Sequence, residues 1–129
     1  MKAEERAEKA AGYKSAGMCN CCQAVMKSYA DSVNVGEETL MQMGAGFGGG
    51  MGCMEATCGA LAGAAMIAGL KSEGQPATRI TKQVLAKFKE KCGATICGDL
   101  KGIKTGKVLC SCDDCVRNAV RFLGEVLEN

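Results

Sequence analysis

The chain has 129 residues, a formal net charge of +2, ten cysteines and no histidine. That length buries an adequate core without crosslinks, so a disulfide-stapled miniprotein is a poor explanation of the cysteines. Interspersed charges and scarce aromatics (two Tyr, three Phe, no Trp) argue against a nucleic-acid surface, and the longest apolar run, Ala56 to Leu70, is too short to span a bilayer.

In chain order, Ala3 to Ser15 reads as a charged, solvated helix ending at Gly17. The stretch Met1 to Lys14 has no apolar centre and is neither a signal peptide nor an anchor. The second helix runs from Cys21 to Val33, with Val25, Met26, Tyr29 and Val33 as its buried stripe, and a short third runs from Glu37 to Met43. A glycine loop, Gly44 to Gly52, leads to an alanine-rich helix from about Glu55 to Lys71. Beyond a linker around Gly74 to Ala77, Arg79 to Cys92 places Ile80, Val84, Leu85 and Phe88 at helical spacing, and Gly93 stops it. Thr95 to Leu100 makes one short turn, and Lys101 to Lys107 a loop. The last helix, Cys112 to Leu127, carries Val116, Val120, Leu123 and Leu127 on one stripe. Strand patterns are absent, so the expected fold is all-α: one domain over residues 1–129, a compact bundle of about six helices plus the short turn, without a sheet.

Four cysteines, Cys21, Cys58, Cys97 and Cys112, fall in the first turns of four different helices. Unpaired N–H groups and a partial positive charge there favour the thiolate, the form that binds metal or attacks sulfur. Asn20 and Gln23 form a capping box around Cys21, and Ser111 caps the helix of Cys112. Each anchor has an upstream satellite: Cys19, Cys53, Cys92 and Cys110. Cys22 and Cys115 complete Cys-x-x-Cys spacings with Cys19 and Cys112. In a cytoplasmic protein, where thiols stay reduced, such clusters serve metal or redox work.

On the alanine-rich helix, Gly59, Ala60, Gly63 and Ala64 leave little side-chain volume, so a neighbouring helix can approach closely. Gly44 to Gly49 can be forced into G-x-G-x-x-G, but no strand precedes it, which argues against a dinucleotide site. The loop suits either a plain turn or a concave nest of N–H groups for an anion, including the sulfides of a metal cluster.

Together, Asn20-Cys21-Cys22-Gln23-Ala24-Val25, Gly46-Phe47-Gly48-Gly49-Gly50-Met51-Gly52, Cys58-Gly59-Ala60-Leu61-Ala62-Gly63, the segment Gly93 to Leu100 around Cys97, and Cys112 with Val116 resemble the C-GCAxxG-C-C family of redox-active proteins. The resemblance spans nearly the whole chain from Asn20 onward, and the four cysteines that name the family map onto Cys21, Cys58, Cys97 and Cys112. It implies a redox or iron–sulfur role, mostly in anaerobic bacteria and archaea, and a module similar to the one attached to split-Soret cytochromes. The other six cysteines are additions to the family pattern.

Four thiolates at four helix starts suit an iron–sulfur cluster of two or four irons, because the N–H groups offset its negative charge. The expected function is therefore electron transfer or redox sensing, with Cys21, Cys58, Cys97 and Cys112 as ligands. Cys19, Cys22, Cys53, Cys92, Cys110 and Cys115 would be alternative ligands or nearby thiols, and convergence of all ten would allow two clusters or one larger core. Three alternatives stay open. Zinc takes four cysteines but usually in two close knuckles, Cu(I) would suit Cys53 beside Met51 and Met54, and thiol–disulfide exchange would use Cys19/Cys22 and Cys112/Cys115. The basic loop Lys101, Lys104 and Lys107 suits a solvated turn, or an acidic electron-transfer partner. A small protein with a glycine-rich surface loop also suits pairing with a second copy of itself. No nucleic-acid or membrane partner is expected.

Overall fold

Alanines at positions 7, 10 and 11 turn the charged first segment into an amphipathic element whose apolar face is small rather than greasy. In the computed structural model, which describes residues 1–128, helix α1 (Ala3–Ser15) buries Ala7, Ala10 and Ala11 against α7 (Cys112–Glu128). The expectation of a solvated helix is thus corrected: only its outer face is solvated. Glu4 pairs with Arg121 and Glu8 with Arg117 along the same contact. Exposed pairs of this kind orient helices more than they stabilise them.

The second helix, α2 (Cys21–Ser28), ends earlier than its apolar stripe suggests, and Ala30–Ser32 form a 3₁₀ turn. The cause is Arg6, which is almost wholly buried. Its Nη1 donates to the Ser28 carbonyl at 2.6 Å and pairs with Asp31 beyond the break, while its guanidinium lies 4.7 Å from the centre of the Tyr29 ring. With the Ser28 carbonyl engaged, the Ser32 N–H bonds Tyr29 instead, at 3.0 Å. The Tyr29 hydroxyl donates to the Val120 carbonyl at 3.0 Å, tying this break to α7. Tyr29→Phe is expected to lower the unfolding free energy by about 1 kcal/mol in urea titrations, the usual value of one buried hydrogen bond.

The remaining helices are α3 (Glu37–Gly44), α4 (Gly59–Lys71), α5 (Ala77–Cys92) and the single turn α6 (Cys97–Lys101). Among the described residues there is no strand beyond one isolated antiparallel bridge, Thr57 with Ile96, and no helix is long and apolar enough to cross a membrane. Met26, Leu61, Ile67, Val84, Phe88, Val120 and Leu123 fill the core between α2, α4, α5 and α7. The small stripe of α4 packs as expected: a Cβ on Gly63 would sit 2.7 Å from the Cys22 carbonyl oxygen, and one on Gly59 2.8 Å from that of Phe47. The alanine-rich helix starts at Gly59 rather than near Glu55, because the backbone of residues 56–58 is extended against residues 95–97.

Candidate functional site

Local capping places the four anchor cysteines. Cys21 opens α2 behind Asn20, whose Oδ1 accepts from the Gln23 N–H at 2.9 Å while Gln23 Oε1 accepts from the Asn20 N–H at 3.0 Å. Cys58 occupies the cap position of α4, Cys97 is the first residue of α6, and Cys112 the first of α7. Ser111 caps α7, with its Oγ accepting from the Asp114 N–H at 3.2 Å. The Thr57–Ile96 bridge holds two of these starts side by side. The Cys58 N–H donates to Thr95 at 2.8 Å and the Cys97 N–H to Ala56 at 3.0 Å.

The glycine-rich segment lies over the same end of the molecule. Residues 49–52 all have positive φ, Met51 included, and Gly50 passes so close to Cys97 that a Cβ there would meet the cysteine Cβ at 2.6 Å. Gly48 likewise leaves no room beside Asn20. The glycines therefore permit a backbone to be laid directly on the helix starts that carry Cys21 and Cys97.

The four anchor thiols sense one another's charge: Cys21 feels Cys112 and Cys58, and Cys97 feels Cys58 and Cys112. Helix-start geometry alone does not ionise Cys21 or Cys97. Burial dominates at Cys21, pushing it up to about 12, and raises Cys97 as well. Cys58 is the exception and is held down to about 6, first by the Cys115 thiol facing its sulfur, then by the Ala60 and Leu61 N–H groups and by Lys101. Cys115 is correspondingly raised, as the proton-bearing partner of the pair.

Lys101 supplies the positive charge. Its half-buried ammonium lies 3.8 Å from the Cys115 sulfur, beside Cys112, and donates to the Cys110 carbonyl at 3.2 Å. The sequence groups it with Lys104 and Lys107 as a basic loop; only those two are exposed, while Lys101 turns inward. Sequence reasoning missed this role because the distance from Lys101 to Cys58 is spanned by tertiary packing. The one available signal was the four-residue offset of Lys101 from Cys97.

The satellites divide. Cys115 joins the pocket, whereas Cys22 is fully buried with its sulfur 3.8 Å from Met26 Sδ, and Cys19 is half-exposed. Cys53 is exposed, with its sulfur 3.6 Å from the Gly50 carbonyl. Cys92 and Cys110 face each other at 3.5 Å between sulfurs. Two thiol pairs meet, Cys58 with Cys115 and Cys92 with Cys110, and they join different elements rather than the ends of a Cys-x-x-Cys motif. No three Cys, Asp or Glu side chains among the described residues stand together at the spacing of ligands to a single ion.

These ionisations set a pH optimum for the thiol form. Folded Cys58 stays charged down to about pH 6, whereas an unfolded cysteine ionises near about 8.5, so its stabilisation is complete above about pH 8.5 and is lost through about pH 6. Cys21, Cys22, Cys92 and Cys115 have the opposite sign: burial or a thiol neighbour keeps them neutral, so stability falls above about pH 8.5 as the unfolded chain ionises. Urea midpoints measured across this range should pass through a maximum on the alkaline side of neutrality, and Cys58→Ala should flatten the acid limb.

The helical scaffold buries several thiols near one ammonium. Residues 19–126 match the model of a family described as "Putative redox-active protein (C_GCAxxG_C_C)", and the chain belongs to that family. No curated protein and no solved structure matches the chain.

Proposed function

We propose that this is a small electron-transfer or redox-sensing protein of the cytoplasm that holds an iron–sulfur cluster on Cys21, Cys58, Cys97 and Cys112. What supports the reading is that these four cysteines stand at or cap helix starts and lie near enough for Cys21 and Cys97 each to feel the charges of Cys58, Cys112 and Lys101. The donor set fits: it is all thiol, and N–H groups and an ammonium face it to offset anionic charge. Such a cluster supplies one-electron chemistry.

The chain's own residues then have definite roles. Cys58 is already held as a thiolate, so it is the first ligand to be available at neutral pH. Cys21 and Cys97 are kept protonated by burial and must release protons on binding, which makes loading favour alkaline pH. Lys101 balances charge, and the glycine segment closes the pocket above Cys97 without adding side chains. A mononuclear zinc site is less well matched, since a tetrahedron of thiolates at about 2.3 Å from zinc draws its sulfurs to within roughly 4 Å of one another. Exposed Lys104 and Lys107 offer a docking edge for an acidic partner.

Anaerobic reconstitution with iron and sulfide, followed by elemental analysis and electronic and paramagnetic resonance spectra, tests the reading. Bound iron and sulfide with visible absorbance support it; their lack refutes it. A second reading, thiol–disulfide exchange, is favoured by the Cys58 thiolate lying against the Cys115 thiol. Cys115→Ser discriminates: it prevents a Cys58–Cys115 disulfide, read by mass spectrometry after oxidation, but leaves the four proposed ligands in place.

A further inference from the structure

Beside the four anchors and sharing no ligand with them, one pair of thiols is placed for chemistry of its own. Cys92 is the last residue of α5, on the same stripe as Val84 and Phe88, and only 5% exposed. Cys110 lies in the irregular segment before α7 and is half-exposed. Their sulfurs are 3.5 Å apart, and Asn118 Nδ2, in the wall of the same cleft, donates to the Cys92 sulfur at 3.5 Å. The pair forms part of the wall of a cleft of about 380 Å³, together with Val108, Leu109 and Ser111. That volume is at the small end of ligand sites, enough for a small molecule and too little for a folded domain.

We propose that Cys92 and Cys110 form a two-electron dithiol/disulfide centre that reduces small-molecule disulfides. The half-exposed Cys110 attacks the incoming disulfide RSSR as thiolate; a Cys110–SR bond forms, the RS–SR bond breaks, and one RS⁻ leaves and takes up a proton. Cys92 then attacks the Cys110 sulfur, displacing the second RS⁻, which is also protonated. The two cysteines lose two electrons and two protons, and RSSR becomes two RSH. Closing from 3.5 Å to a bond of about 2.05 Å asks only for side-chain rotation plus give in the segment before α7, since only Cys92 belongs to a helix. Neither residue is among the four proposed cluster ligands, so this centre does not rest on the cluster.

The test exposes the full-length protein, purified anaerobically, to oxidised glutathione, then blocks free thiols with iodoacetamide and maps modifications by mass spectrometry. Wild type should lose two hydrogens, with fragmentation assigning a Cys92–Cys110 bond. Cys92→Ser should instead accumulate glutathione on Cys110, about tenfold or more above wild type, because nothing resolves the mixed disulfide. Cys110→Ser should leave Cys92 free of glutathione and of any disulfide, and iron content should be the same in both variants as in wild type. A stable glutathione adduct on wild-type Cys110, a bond between a different pair, or iron lost from either variant would overturn the proposal. The wild-type measurement decides on its own if a variant does not fold.

Discussion

Cys58→Ser is expected to abolish iron and sulfide binding while leaving the folded chain within about 1 kcal/mol of wild type. The separation is possible because of where Cys58 sits. It occupies the cap position of α4, near the Ala60 and Leu61 N–H groups, and serine is among the best residues for that position. A serine hydroxyl therefore suits the cap position and does not replace the softness of the thiolate as a ligand. Cys53→Ser, on the exposed side of the glycine segment, is the control and should retain the cofactor. The check is iron content and visible absorbance after identical anaerobic reconstitution, beside urea titrations of the untreated proteins. Retention of a full complement of iron by the Cys58 variant would remove Cys58 from the ligand set.

The second large effect belongs to Gly63. An added Cβ there meets the Cys22 carbonyl oxygen at 2.7 Å and Val25 Cβ at 3.2 Å, and neither a backbone carbonyl nor a β-branched side chain can swing aside. Gly63→Val is expected to cost about 3 kcal/mol or more, the scale of overpacking in a well-filled interior. Gly69 lies on the same helix with nothing within 4 Å of an added Cβ, so Gly69→Ala should go the other way and gain about 0.5–1 kcal/mol. Opposite signs from two glycines six positions apart would show that close approach of α2 and α4, not helix propensity, dictates the residue at 63. Because the clash falls on Cys22, next to Cys21, Gly63→Val should also impair cofactor loading; urea titration and iron content read the two effects.

Capping signals were the most readable part of the chain, because they depend on neighbours a few residues away. Asn20 with Gln23, Ser111 before Cys112 and Gly93 after Cys92 located helix ends correctly. The all-α class and the packing stripe of α4 followed from periodicity in the same way. What escaped were contacts made across the fold. Arg6 stops α2 from 22 residues upstream of Ser28, Lys101 turns from an apparent surface loop into the thiol pocket, and Cys115 meets Cys58 rather than Cys112. The ionisation of two anchors was also misjudged from local reasoning: a helix start favours thiolate, but at Cys21 and Cys97 the loss of water outweighs it, whereas at Cys58 the donors win.

The paired backbone bonds flanking Thr57 and Ile96 bear on how the protein comes apart. They join segments nearly forty residues apart, and the pocket they frame also needs the starts of α2 and α7, so it exists only when the entire chain has closed. An occupant held there acts as a clasp on global unfolding: its whole binding free energy adds to the stability of the fold. Amide hydrogen exchange should then slow in α2, α4 and α7 together upon loading, with none of the three freed ahead of the others.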